Sequence, residues 1–214
     1  MKNGPIAEAS NDLTHGRLVL ASASSARQSL LKAAGLAFEV APANIDEGAI
    51  RTALAADGGG LEPADLAELL ARAKAEQVSL RKQGALVLGG DQVLVCDDTW
   101  YEKPADMDAA RRQLLDLRGK AHQLHSAAVL ARSGSVVWET VTTVDVVMRS
   151  FSPEFVGRYL AHVGDTALQS VGAYQLEGVG IQLIEEIRGD YFSVLGLPLF
   201  DVLAALRREG VIDA

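Results

Sequence analysis

Apolar runs and one-sided apolar periodicities take turns along this chain, and their order predicts its elements. RLVLAS is a short apolar run that reads as a buried strand. SSARQSLLKAAG, with serine before its apolar face and Gly35 behind it, reads as a helix. AFEVAPA returns to a strand, and a strand–helix–strand unit ordinarily yields a parallel pair. DGGGLEP is a flexible loop. ADLAELLARAKAEQVSLRK carries Leu66, Leu69, Leu70 and Ala73 on one side, the spacing of an amphipathic helix, and leads into a strand at ALVLGGD. DMDAARRQLLDLRG predicts a capped helix. QLHSAAVLA and SVVWETVTTVDVVMRSF predict two strands that RSGS joins as an antiparallel hairpin. SPEFVGRYLAHVG opens with Ser and Pro, as a helix start favours. VGIQLIEEI, a turn at Arg188-Gly189-Asp190, and YFSVLG predict two more strands before a closing helix in PLFDVLAALRREG. The sum is an α/β chain around a mixed sheet.

Composition narrows the class. A chain of 214 residues, 49% of them apolar, has ample material for one core. The pattern predicts a flexible N-terminal tail over residues 1–16 and a single α/β domain over 17–214. No window approaches the roughly 18 unbroken apolar residues of a membrane span, and the first residues lack the apolar stretch of a secretory signal. A soluble cytoplasmic protein with no membrane partner is the expectation. The single Cys96 excludes an internal disulfide and any cysteine-rich metal site. A net charge of −8 argues against long nucleic acid, which needs a basic footprint. A phosphate-bearing ligand must then be small and met by a few local cations.

One stretch breaks the pattern. In VLGGDQVLVCDDTWYEKP, two glycines deliver Asp91 into a second apolar run, where burial disfavours a charged group. Read locally, this is a hairpin turn or an opening in which a ligand approaches the backbone. Open α/β sheets bind ligands beyond the carboxyl ends of their strands. At another such end, LASASSAR sets Ser22, Ser24 and Ser25 at a helix start with Arg27 in the first turn, which suits a phosphate or merely caps the helix. Asp46 and Glu47 form either an exposed acidic turn or, with Asp91, oxygen ligands for a hard divalent cation. Lys74 falls near the apolar face of its helix, an awkward place for a solvated lysine, although snorkelling also explains it. Lys103 is held extended by Pro104. There is no GxxxxGK[ST] loop, no dinucleotide fingerprint and no GxSxG elbow, and the four histidines show no zinc-ligand spacing.

Together these segments resemble, from about Leu18 to Glu209, the Maf family of nucleoside triphosphate pyrophosphatases. LASASSARQSLL resembles the family's opening S-x-S-x-x-R segment. Asp46-Glu47, Lys74-Ala75, GGDQV, EKP, VGAYQLEGVG and GLPL follow in the family's order. The resemblance implies a long mixed β-sheet flanked by helices, with two lobes and an active-site cleft between them (Maf/ITPase-like). It implies hydrolysis of a nucleoside triphosphate to monophosphate and pyrophosphate with a divalent metal cation, Mg2+ or Mn2+, and a homodimer, since members often form dimers. It assigns the catalytic acidic role to Asp91, metal-site roles to Glu47 and Asp91, and substrate contacts to Ser22, Arg27, Lys74 and Lys103.

Base preference turns on further positions. Gln92 and Glu177 resemble the branch that prefers 7-methyl-GTP, whereas the branch acting on dTTP and UTP has threonine and glutamine there. A carboxylate suits the N1–H and N2–H₂ donor edge of guanine. Ala26 departs from the bulky residue that both branches tend to place before the motif arginine, and Gln169 replaces the Asp frequent in the pyrimidine branch. The expected function is nucleotide-pool sanitising. The alternative is a non-catalytic nucleotide-binding regulator of septum formation, and retention of Asp91, Glu47 and three cations favours the enzyme.

Overall fold

The computed structural model describes residues 13–56 and 62–213. Most of DGGGLEP lies outside the described residues, as do residues 1–12 of the expected tail. The described end of that tail is not free: Thr14 bridges Ile212, and the His15 N–H donates to the Val211 carbonyl at 2.7 Å.

Among the described residues, seven strands form one mixed sheet: β1 (Leu18–Leu20), β2 (Glu39–Val40), β3 (Leu86–Cys96), β4 (Thr99–Tyr101), β5 (Ala121–Arg132), β6 (Ser135–Met148) and β7 (Ile184–Arg188). Their order is β2-β1-β3-β5-β6-β7, and β4 pairs with β3. β1 is parallel to both β2 and β3, as the strand–helix–strand reading requires, and all other pairings are antiparallel. The helices are α1 (Ser25–Ala33), α2 (Glu47–Ala56), α3 (Pro63–Arg81), α4 (Met107–Leu117), α5 (Pro153–Val163), α6 (Tyr191–Val194) and α7 (Leu199–Arg208).

Four sequence expectations are corrected. YFSVLG is not a strand but the one-turn helix α6, because the Asp190 carboxylate accepts from both the N–H and the hydroxyl of Ser193 and closes a turn there. VGIQLIEEI is a strand only from Ile184, where pairing with Met148 of β6 begins; Val179–Leu183 is a 3₁₀ turn. No helix is expected after Asp46, yet α2 starts there, capped by Asp46 Oδ1 accepting the Ala49 N–H at 2.8 Å. The apolar side of α3 is also offset from its predicted line. Leu66, Ala67, Leu70, Ala71, Ala75 and Val78 are buried, while Leu69 is exposed.

Packing divides by sheet face. On one face α3 lies against Val93, Ala127, Val129 and Ala131. The opposite face carries two separate cores. One packs α1 and α7 on Leu18, Leu20, Leu86, Leu88, Ala128 and Leu130. The other packs α4 and α5 on Leu94, Leu124, Val144, Val146 and Met148. Between them, on β3 and β5, the polar pair Gln92 and Ser126 interrupts the apolar surface.

In the α4–α5 core, His122 is buried with Nε2 2.7 Å from the Tyr174 hydroxyl and Nδ1 without a partner. Burial pulls its pKa down to about 4, so it is neutral at pH 7. Unfolding returns it to about 6.5, so between those values the unfolded chain binds more protons and stability falls as pH drops from ~6.5 towards ~4. We expect this group to remove about 3 kcal/mol across that window. Denaturant unfolding from pH 7 to 4 should show a shallower acid decline for His122→Phe than for the native protein. Parallel declines would mean that His122 is not the titrating group.

Candidate active site

The site begins with a missing neighbour. β3 pairs with β5 from Val87 to Val95. On its other edge it meets β1 only at residues 86–88 and β4 only at 94–96. Residues 89–93 therefore have one unpaired edge among the described strands. The Leu86 N–H donates to Arg17, and the Leu88 carbonyl accepts from Ala21. By strand alternation the N–H and C=O groups of Gly90 and Gln92 face the same way, into the opening. GGD is thus the middle of one continuous strand and not a hairpin turn.

A cavity of about 880 Å³ occupies this opening, and its lining includes Ser22, Ala26, Arg27, Glu47, Lys74, Asp91, Gln92, Lys103 and Glu177. All nine positions expected from the sequence meet there, although they come from six separate segments. Asp91 and Gln92 both reach it because successive side chains leave a strand on opposite faces. Asp91 faces α3 and Gln92 faces α6.

On the α3 side, Lys74 Nζ lies 2.6 Å from Asp91 Oδ1 and 2.7 Å from Glu47 Oε1. Lys74 and Asp91 are 12% and 10% exposed at the side chain, so this is a largely desolvated charge cluster in which one ammonium serves two carboxylates. Burial pushes Glu47 up, but the hydrogen bond and charge of Lys74, with Arg51 and Lys103, hold it below the usual carboxylate range. Asp91 Oδ2 is buried without a partner. Asp46, the other half of the acidic pair, only caps α2.

On the other side, Arg27 is buried beneath the start of α1. Its Nε donates to the Gly196 carbonyl at 2.7 Å and its Nη1 to Ser22 Oγ at 3.1 Å. Burial lowers its pKa from the ordinary value, against the pull of Asp91 and Glu47. Ser24 caps α1 by accepting the Arg27 N–H, and Ser22 Oγ accepts the Ser24 N–H. Lys103 is exposed at the cavity, with no hydrogen bond or ion pair among the described residues, and so is Glu177. Arg51, one turn after Glu47 on α2, also lines the cavity, 3.5 Å from Glu102. Sequence reading missed Arg51 because α2 was missed. A Glu47–Arg51 spacing of four on a recognised helix is the signal that finds it.

The two glycines have a different purpose from the ligand access expected of them. A Cβ on Gly89 would lie 2.2 Å from the Ala71 carbonyl of α3, and one on Gly90 would lie 3.1 Å from Arg27 Nε. Gly89 lets α3 approach the sheet, and with it Lys74. Gly90 makes room for Arg27.

The family model described as Maf-like protein matches residues 17–209. A 7-methyl-GTP pyrophosphatase from Brucella abortus is 53% identical over 197 residues, covering 92% of this chain and 98% of that protein. One from Rhizobium meliloti is 51% identical with the same coverage. A nucleoside triphosphate pyrophosphatase from Granulibacter bethesdensis is 47% identical over 193 residues, 90% of this chain and 97% of that protein.

Distinct roles for the glycines predict distinct variants. Gly89→Ala should lose about 1–3 kcal/mol or more of stability by forcing α3 from the sheet. Gly90→Ala should cost less stability but displace Arg27 and weaken nucleotide binding. Denaturant midpoints and nucleotide titration on both variants check this, and equal stability losses with unchanged binding would contradict it.

Proposed function

The chain belongs to the Maf-like protein family, and from that premise we propose that its cavity hydrolyses nucleoside triphosphates between the α and β phosphates, releasing a nucleoside monophosphate and pyrophosphate, with 7-methyl-GTP preferred. The observation that carries this reading is Asp91, whose Oδ1 is fixed by Lys74 and whose buried Oδ2 has no partner inside a cavity that also holds Arg27 and the start of α1. We read the two cores on the sheet face opposite α3 as two lobes and the cavity as the cleft between them.

A triphosphate carries about four negative charges, so attack on it requires neutralisation. Arg27 has two donors engaged and the rest of its fork free for phosphate oxygens. Lys103 and the first-turn N–H groups of α1 add to it. Asp91 orients the attacking water and accepts its proton as the new O–P bond forms. The α–β bond breaks, and pyrophosphate leaves with the electron pair of the bridging oxygen. Because a carboxylate is a weak base at neutral pH, alignment of the water is the larger part of its contribution.

A divalent cation fits beside Asp91. Its unpartnered Oδ2 and the nearby Glu47 supply two hard oxygen donors, and Mg2+ commonly takes its remaining ligands from water and substrate phosphates. When bound, such an ion would supply positive charge to offset the negative charge of the phosphates. Base preference rests on Glu177, a carboxylate on the cavity wall with no hydrogen bond or ion pair among the described residues. It can accept from the N1–H and N2–H₂ edge of guanine. Methylation at N7 places a positive charge on the ring and makes N1–H a stronger donor, so the carboxylate gains more from the methylated base. Such an enzyme would remove methylated nucleotides from the pool.

Pyrophosphate release from a panel of ordinary and N7-methylated triphosphates, with Mg2+ or Mn2+, tests the activity; release of orthophosphate alone would refute it. Asp91→Asn should keep folding and most nucleotide affinity while lowering kcat by about two to four orders of magnitude. Near-native turnover in a folded variant would remove Asp91 from the mechanism. Glu177→Gln should cut the preference for 7-methyl-GTP over UTP by roughly ten- to two-hundred-fold in kcat/KM. The same loss on every base would mean that Glu177 does not read the base.

A further inference from the structure

The polar join between the two cores holds a network that the hydrolytic chemistry does not use. Gln92 Nε2 lies 2.8 Å from Ser126 Oγ, 2.9 Å from the Ser193 carbonyl and 3.2 Å from the Val194 carbonyl. Ser126, fully buried on β5, donates its own hydroxyl to the Ser193 carbonyl at 2.7 Å. Ser193, also fully buried, gives its N–H and hydroxyl to one Asp190 oxygen at 2.7 and 2.6 Å.

The roles in this network cannot be exchanged. Backbone carbonyls only accept, and the single Ser126 proton is committed to Ser193, so every neighbour of Nε2 is an acceptor. Turning the amide over would set Oε1 against two carbonyl oxygens and leave a buried clash of like dipoles. Oε1 itself has no hydrogen bond among the described residues and is not buried, and Gln92 lines the cavity.

We propose that Ser126, braced by the Asp190–Ser193 turn, is a positioning residue that fixes the Gln92 amide with its oxygen towards the cavity. Gln92 and Glu177 then form an acceptor-only wall that selects a nucleobase edge made of N–H donors. This rests on the reading of the cavity as a nucleotide site. The guanine edge, with N1–H and N2–H₂, meets such a wall with donors. Uracil and thymine meet it with two carbonyl oxygens flanking one N–H, and adenine with a ring acceptor. The same turn runs on to Gly196, whose carbonyl holds Arg27, so base selection and phosphate binding share one anchor.

The test compares kcat and KM for 7-methyl-GTP and UTP in native, Ser126→Ala and Ser126→Thr proteins. In Ser126→Ala the kcat/KM ratio of 7-methyl-GTP to UTP should fall about tenfold, through KM for 7-methyl-GTP with kcat within about twofold. Ser126→Thr keeps the hydroxyl and should retain most of the ratio. An unchanged ratio in Ser126→Ala, or an equal fall for both substrates, overturns the proposal. A second arm needs neither turnover nor a stable Ser126→Ala protein. Gln92→Glu puts a carboxyl oxygen where the amide donates to the Ser126 hydroxyl oxygen and the Ser193 and Val194 carbonyls, so at a fixed pH near ~8 its Tm should fall below both the native protein and Gln92→Met, which removes the donor without adding an acceptor. A Gln92→Glu protein as stable as the native one would sink the orientation lock. If the native protein releases pyrophosphate from no triphosphate, the functional reading fails while this arm still decides the lock.

Discussion

The structure depends on a strand that is paired along one edge and only at its ends along the other. β5 holds β3 from Val87 to Val95, while β1 and β4 leave residues 89–93 open between them. A strand in mid-sheet buries both faces and both edges. Opening one edge allows consecutive residues, which point to opposite faces, to reach a single cavity without bending the backbone. This answers the difficulty posed by Asp91. Its carboxylate lies within a core strand by chain position and at a cavity wall by geometry, and Lys74 satisfies the oxygen that is not left for a ligand.

The charges follow from that geometry. The chain carries a net −8, yet the cavity gathers Arg27, Arg51, Lys74 and Lys103. Lys74 is already neutralised by two carboxylates, and Arg27 is tied to a carbonyl and a hydroxyl, so neither is an isolated buried charge. Placing Glu47 and Asp91 around one ammonium balances the carboxylates without a ligand, and Lys74 helps hold Glu47 below the usual carboxylate range. It also brings together two oxygens that share a cation, the arrangement a second, divalent cation would use. A local cluster of cations in a chain of net charge −8 suits a small polyanion better than a long one.

Much of this was legible beforehand, for identifiable reasons. The β1–α1–β2 unit, the β5–β6 hairpin and α3 to α5 are long or well-capped segments whose periodicity survives packing. Ser22, Arg27, Glu47, Lys74, Asp91 and Lys103 were recognisable from unusual local settings, whereas Ala26, Gln92 and Glu177 came only from the resemblance to the Maf family. What failed was short or conditional. The α6 turn looks like a strand by its apolar residues, and only the Asp190 hydrogen bonds to Ser193 make it helical. α2 follows an acidic pair that resembles a loop until Asp46 is seen to cap it. The glycines of GGD suggested space for a ligand, whereas their missing Cβ atoms admit α3 and Arg27. Such contacts join residues distant in sequence, which a local pattern does not encode.

The two sides of β3 divide the work. The α3 side holds the ion cluster of Asp91, Lys74 and Glu47, the groups we propose for the phosphate chain. The α6 side holds Gln92 within a network of Ser126, Ser193 and Asp190, with no hydrogen bond to the ion cluster among the described residues. Alternation along a single strand keeps these sides apart although Asp91 and Gln92 are adjacent in the chain. On the proposed reading, a change at position 92 or 126 would alter which edge of a base is accepted and leave the Lys74 cluster in place. Arg27 is the one group whose anchor, the Gly196 carbonyl, lies on the same turn as the base network. Displacement of that turn would therefore reach both phosphate and base, whereas a loss confined to the Ser126 hydroxyl would reach the base alone.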